Sequence, residues 1–311
     1  MFIETKAINA LEQMWAKVGI KDQERIKGLM LPKDIHIENK DFGPDKDGYQ
    51  SLSYMWPEKS GRKLPVIVDI HGGGFMYGTK ELNKPFAMYL SSLGFLVMTM
   101  SYRLAPKAKL KDQLKDIYES LVTLYEDKDQ IPADLDNLFL TGDSAGGMLA
   151  SVFAAAQVNP KILSLLGKGP LPLKFKAVVL NHPASYLNKP RKFTNDLSQR
   201  QKAISRAMIY QLYGPWYKRD WKLMNVTGNF DSLLRHAKGY IPTMLITSMG
   251  DKQFRDGAYA IAKALNSYGL EHELYDGQEE PDDHVFNITW INSPAAIKAN
   301  VKIAEFFRKH M

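Results

Sequence analysis

The stretch that most constrains this chain is Leu138-Phe139-Leu140-Thr141-Gly142-Asp143-Ser144-Ala145-Gly146-Gly147. Its bulky apolar residues read as a short buried strand. Small residues then take over, and from Met148 an Ala-rich run reads as a helix. The centre is a Gly-x-Ser-x-Gly pattern with Asp143 and Ala145 in the variable slots. Small residues on both sides allow a strand-to-helix turn too tight for Cβ atoms, which would lift the Ser144 hydroxyl clear of a sheet edge. The helix N-terminus would aim amide N–H groups at the same place and favour negative charge there. The pentapeptide alone is a weak signal. Its setting between an apolar strand and an apolar helix is a stronger one.

Similar units recur along the chain. Pro65 to Ile70, Phe95 to Met100, Ala177 to Leu180, Thr243 to Thr247 and His272 to Tyr275 are strand-length runs. Helical periodicity occupies about 112–126, 147–158, 254–267 and 294–308. Near-continuous apolar strands alternating with helices predict an α/β protein with a mostly parallel sheet covered on both faces. Ile35 to Asn39 and Tyr49 to Tyr54 flank a turn-rich stretch and predict an antiparallel pair. Residues 4–30 place Ile8, Leu11, Met14, Trp15 and Val18 at helical spacing, predicting one or two amphipathic helices that either pack on the body or form a lid. From about 185 to 240 the chain is rich in Trp, Tyr, Lys and Arg and shows no strong strand, so it reads as a helical excursion. The expectation is a single domain over 1–311 with a cap built from about 1–30 and about 185–240.

Composition narrows the function. At 311 residues and 45% hydrophobic content the chain can bury a large core, and without cysteine it can have no disulfide, thiolate metal site or cysteine nucleophile. The formal charge of +7 is spread among acidic residues, which points to a solvated surface rather than to nucleic-acid binding. No basic-then-apolar leader and no run of membrane-spanning length is visible, so a cytoplasmic location and no membrane partner are expected. A homodimer is left open.

A serine hydroxyl needs a base, and the base needs an orienting acid. On a sheet of this type these follow the serine in the order acid, then histidine, at strand C-terminal ends. Asp251 follows the Met244–Thr247 run and is the acid expected here, with Asp256 and Asp276 as alternatives. His284, in a turn-rich loop before the last helix, is the expected base. His272 begins a strand, and His310 lies at the terminus. His71-Gly72-Gly73-Gly74 follows an earlier strand, and its glycines allow backbone amides to face a site unobstructed. Gly73, Gly74 and the Ala145 N–H are the expected oxyanion donors, and His71 is expected to brace the loop.

Together His71-Gly72-Gly73-Gly74-Phe75, Tyr102-Arg103-Leu104-Ala105-Pro106, Gly142-Asp143-Ser144-Ala145-Gly146-Gly147 and Asp282-Asp283-His284-Val285-Phe286 resemble the hormone-sensitive-lipase-like, or family IV, carboxylesterases of the α/β-hydrolase superfamily. The resemblance implies an eight-stranded sheet flanked by helices with a helical cap. It also implies hydrolysis of a small-molecule ester through an acyl-enzyme, without cofactor or metal. The family's triad and oxyanion roles fall on Ser144, Asp251, His284, Gly73, Gly74 and Ala145. One departure is Lys252-Gln253-Phe254 where the family commonly has Pro-Leu after the acid. A pocket drawing on Met14, Trp15, Phe75, Met76, Tyr210, Tyr213 and Trp216 would be crowded, predicting acetyl to about butyryl esters. The rival expectations are an amidase or arylformamidase using the same triad, and a non-catalytic small-molecule receptor on the same fold.

Overall fold

The computed structural model describes residues 2–45, 47–187, 199–214 and 221–311. Its strands are β1 (Ile35–Asp41), β2 (Ser51–Pro57), β3 (Leu64–Ile70), β4 (Leu96–Met100), β5 (Ala133–Asp143), β6 (Phe175–Asn181), β7 (Thr243–Ser248) and β8 (His272–Gly277). They form one sheet in the order β1-β2-β4-β3-β5-β6-β7-β8. β2 runs antiparallel to both of its neighbours, and the remaining pairings are parallel.

The continuous apolar strands of the sequence follow from burial on two faces. Along β3, Val66, Val68 and Ile70 enter one core while Ile67 enters the other; along β5, Leu138 and Leu140 part from Phe139 in the same way. The first core lies under α3 (Leu110–Asp127) and α4 (Ala145–Val158). In α3 the periodic Leu114, Ile117, Leu121 and Leu124 are all fully buried. Each such side chain contributes roughly 1.5–3 kcal/mol relative to exposure. The second core lies under α2 (Lys80–Ser92) and, at the chain's end, Pro294–Lys309.

The remaining helices are α1 (Phe2–Lys27), α5 (Lys161–Ser164), α6 (Gln199–Tyr213), α7 (Trp221–Thr227), α8 (Phe230–His236), α9 (Arg255–Ser267), α10 (Phe286–Thr289) and the C-terminal α11 just named. The first amphipathic segment is thus one helix, not two. α1 packs on α6, burying Leu11 and Ala207 with Ile8, Met76 and Ala203 around them. The helical excursion is α6, α7 and α8, with 188–198 and 215–220 outside the described residues. None of the described helices is long and apolar enough to cross a membrane.

Register decides what meets at the sheet's C-terminal edge. Ile70 pairs with Gly142, Asp143 with Asn181, Asn181 with Ile246, and Ser248 with Gly277. The glycine-rich loop, the serine turn and the loops that follow β6, β7 and β8 therefore leave the sheet side by side.

Candidate active site

Ser144 stands between β5 and α4 at φ 51° and ψ −114°, a left-handed conformation that costs a non-glycine residue about 1–3 kcal/mol. Its N–H donates to the Asn181 carbonyl at 2.8 Å and its carbonyl accepts from Ala184 at 2.9 Å, so the turn is held from both sides. The flanking glycines are required sterically. A Cβ on Gly146 would lie 1.9 Å from the Ile70 carbonyl oxygen, and one on Gly142 would lie 2.5 Å from the Gly146 oxygen.

Asp251 and His284 come together across two loops. His284 Nδ1 lies 2.8 Å from Asp251 Oδ2. A neutral ring donating Nδ1–H there leaves Nε2 free to accept a proton. The other Asp251 oxygen accepts the N–H groups of Gln253 and Phe254 at 3.2 and 3.1 Å, which builds a turn here without proline. Phe254 then covers the His284 ring, centroids 4.8 Å apart. Burial pushes the Asp251 carboxyl up, but the hydrogen bond and charge of His284 outweigh it and hold the group below its ordinary range. The two loops touch at Gly250, where a Cβ would stand 2.6 Å from the Asp282 carbonyl oxygen. Asp276 is engaged elsewhere, with Arg255 and with the Tyr259 hydroxyl at 2.7 Å. Asp256 lies in the first turn of α9. Among the described residues no hydrogen bond joins the Ser144 hydroxyl to His284. Such contacts form or tighten in a Michaelis complex.

The glycine loop is set from below. His71 is fully buried, stacks on Tyr102 with centroids 4.3 Å apart, and directs Nδ1–H at the Gly72 carbonyl at 2.8 Å. Burial pushes His71 down to about 4, so it is neutral near pH 7. The Tyr102 hydroxyl donates to the His71 carbonyl at 2.9 Å, while Arg103 pairs with Asp116 on α3. Gly73 and Gly74 take φ 93° and 59°. Their N–H groups find no acceptor among the described residues, and Ala145 opens α4, where first-turn N–H groups lack intrahelical partners. Above the loop, Trp15 of α1 lies so close that a Cβ on Gly74 would fall 2.2 Å from its ring, and the indole stacks on Tyr77.

A model of the family described as alpha/beta hydrolase fold matches residues 67–287. The chain belongs to the α/β-hydrolase-fold family. Among relatives of this hydrolase, Probable carboxylesterase 7 of Arabidopsis thaliana is 25% identical over 92% of this chain and 93% of its own. Carboxylesterase NlhH of Mycobacterium tuberculosis is 29% identical over 42% of each. Among solved structures, esterase B from Lactobacillus rhamnosis superposes with a TM-score of 0.90 at 29% identity, covering 99% of this chain and 96% of that one. A form of esterase B inhibited by a tributyrin phosphonate superposes at 0.89 with 28% identity, covering 98% and 95%.

The hydrolase also holds residues that sequence reasoning passed over. Asp143, in a variable slot of the pentapeptide, accepts the Gly72 N–H at 2.9 Å and the Asn83 amide at 2.7 Å, tying the serine turn to the glycine loop. The same Asn83 amide reaches Asp69 at 3.1 Å. Burial raises both carboxyls, and the charge of Asp143 adds to the effect at Asp69. The available signal was a charged residue inside each of two apolar strands. Of the residues expected to line a pocket, Trp15 and Met76 flank the glycine loop, Phe75 is core, Met14 and Tyr210 face outward, and Tyr213 bonds Thr227. Trp216 lies outside the described residues.

Proposed function

We propose that this α/β-hydrolase is a serine carboxylesterase that cleaves acetyl to about butyryl esters, with Ser144 as nucleophile, His284 as base and Asp251 as its orienting acid. The observation that carries the reading is the 2.8 Å Asp251–His284 hydrogen bond, made on the same sheet edge as a strained serine turn. Ser144 Oγ attacks the ester carbonyl carbon as its proton passes to His284 Nε2. The Asp251 carboxylate stabilises the imidazolium, and the N–H groups of Gly73, Gly74 and Ala145 receive the oxyanion. Collapse expels the alcohol, protonated by His284, and leaves an acyl-Ser144 ester. Water, deprotonated by the same imidazole, then releases the acid. With water as the second substrate, these side chains and backbone N–H groups carry every proton in the sequence.

In this reading α1 with α6, α7 and α8 forms a cap. The packing of α1 on α6 and of Trp15 on the glycine loop supports it. Trp15 and Met76 would shorten the space above Ser144, favouring small acyl groups. The tributyrin phosphonate that inhibits the similar esterase B carries acyl groups of that size. We place the reaction in the cytoplasm, consistent with the absence of cysteine.

Fluorophosphonate labelling of the wild type and of Ser144→Ala tests the nucleophile: labelling retained in the variant would remove Ser144 from the role. A p-nitrophenyl ester series from acetate to palmitate tests the substrate, with kcat/KM expected to peak at or below butyrate. A maximum at palmitate would refute the short-chain assignment, and faster cleavage of p-nitroacetanilide than of p-nitrophenyl acetate would transfer the activity to amides.

A further inference from the structure

Next to His284 lies a second histidine that the proposed reaction does not use. His182 follows β6, is fully buried and takes φ 48°. Its ring meets that of His284 at right angles, centroids 5.5 Å apart and planes at 86°. Phe286 backs it in the same manner at 5.7 Å. Nδ1 lies 2.8 Å from Asn181 Oδ1, and Nε2 lies 3.1 Å from Ser248 Oγ. A carboxamide oxygen only accepts, so Nδ1 carries the proton, and the uncharged ring then accepts the Ser248 O–H at Nε2. Burial agrees with that state, pushing His182 down to about 3.

The position of Ser248 gives this hydrogen bond its consequence. Ser248 ends β7, and its carbonyl accepts the Asp251 N–H at 3.2 Å. Its hydroxyl also stands 3.4 Å from the carbonyl of Asp283, the residue before His284. The His182–Ser248 pair thus sits between the strand that delivers the acid and the loop that delivers the base. On its outer side the His284 ring is met by Phe254. Three neighbours therefore restrict the imidazole: Asp251 at Nδ1, Phe254 at one ring contact and His182 at another.

We propose that His182 and Ser248 are positioning residues for the general base: their hydrogen bond, with the His182 ring set against His284, keeps Nε2 of His284 aimed at Ser144. His182 gives up no proton in the reaction; it acts through the orientation of His284. The proposal rests on the reading of Ser144, Asp251 and His284 as a triad.

The test uses the full chain with Ser248→Ala, which deletes one hydroxyl, and His182→Phe, which keeps a ring but neither hydrogen bond. Three quantities are read: kcat and KM on p-nitrophenyl butyrate, the fluorophosphonate labelling rate, and the far-downfield proton resonance of the His284 Nδ1–H···Asp251 bond. Ser248→Ala should lower kcat about tenfold and His182→Phe about ten- to a hundredfold, with KM within about twofold of wild type. The downfield resonance should shift or broaden in both, a change that a generally weakened fold with an intact dyad would not produce. Wild-type kcat and an unmoved resonance in Ser248→Ala would overturn the proposal, whether or not His182→Phe folds. Failure of the wild-type chain to label at Ser144 would overturn the triad reading and this proposal with it. Normal labelling with unaffected variants would overturn this proposal alone.

Discussion

Replacing His71 by Phe should make the fold less sensitive to acid. The folded-state pKa of His71 is lowered to about 4 from an ordinary 6.5. As pH falls through 6.5 the unfolded chain takes up a proton that the folded chain refuses until about 4. Stability contributed by the neutral, buried ring is therefore complete above 6.5 and is lost on the way down. Each unit of pH costs at most about 1.4 kcal/mol per such proton, and integration from pH 7 to 5 gives about 2 kcal/mol for His71. The raised carboxyls of Asp69 and Asp143 act in the opposite sense, because the folded state holds their protons more tightly. The difference between two proteins that share those carboxyls isolates the histidine. Phe can retain the stack on Tyr102 that His71 makes at 4.3 Å. Urea unfolding of wild type and His71→Phe at pH 7, 6 and 5 supplies the comparison. The variant should lose about 2 kcal/mol less than wild type across that interval. Equal losses would mean that His71 is protonated in the folded protein near pH 5, and the account of a neutral imidazole beneath the glycine loop would be wrong.

Asp251→Asn should lower kcat by roughly 10³–10⁴ while the circular dichroism spectrum stays native; a near-normal rate would move the acid's role to another carboxylate. Gly146→Ala should fail to give folded protein or lose several kcal/mol in denaturant unfolding, because its Cβ would meet backbone 1.9 Å away. Asn83→Ala should destabilise by roughly 2–4 kcal/mol, since Asp143 and Asp69 lose the amide between them; unfolding within about 0.5 kcal/mol of wild type would show that no net stability resides in that bridge.

The parts of the fold that sequence reading reached are those governed by short-range pattern. β3, β4, β6 and β7 fall on apolar runs, and α3, α9 and α11 fall on helical stripes. α2 escaped because Asn83 and Pro85 interrupt its stripe; both are buried in the helix that covers the second core. The start of β5 escaped because Ala133 to Asn137 are mostly not apolar, and the pairing with β3 is irregular there. For the site, strand order was enough to nominate Ser144, Asp251 and His284. Asp143, Asn83 and His182 were not nominated, since each depends on which side chains two distant segments bring into contact. A one-dimensional pattern reports burial and turns well. It does not report that a carboxylate at the end of one strand will receive the amide hydrogen of the loop after another.

The docking of α1 has a consequence for the order in which the chain can assemble. Trp15 needs the loop at Gly74, Leu11 needs Ala207 on α6, and Arg25 donates to the Thr289 carbonyl 264 residues further on. A ribosome adds roughly 5–20 residues per second, so about 13–50 s separate the synthesis of Arg25 from that of its anchor. The apolar side of α1 waits less, about 10–40 s, for Ala207 on α6 to be made. α1 is therefore made well before the residues that anchor it, and until they arrive its apolar side is open to chaperones.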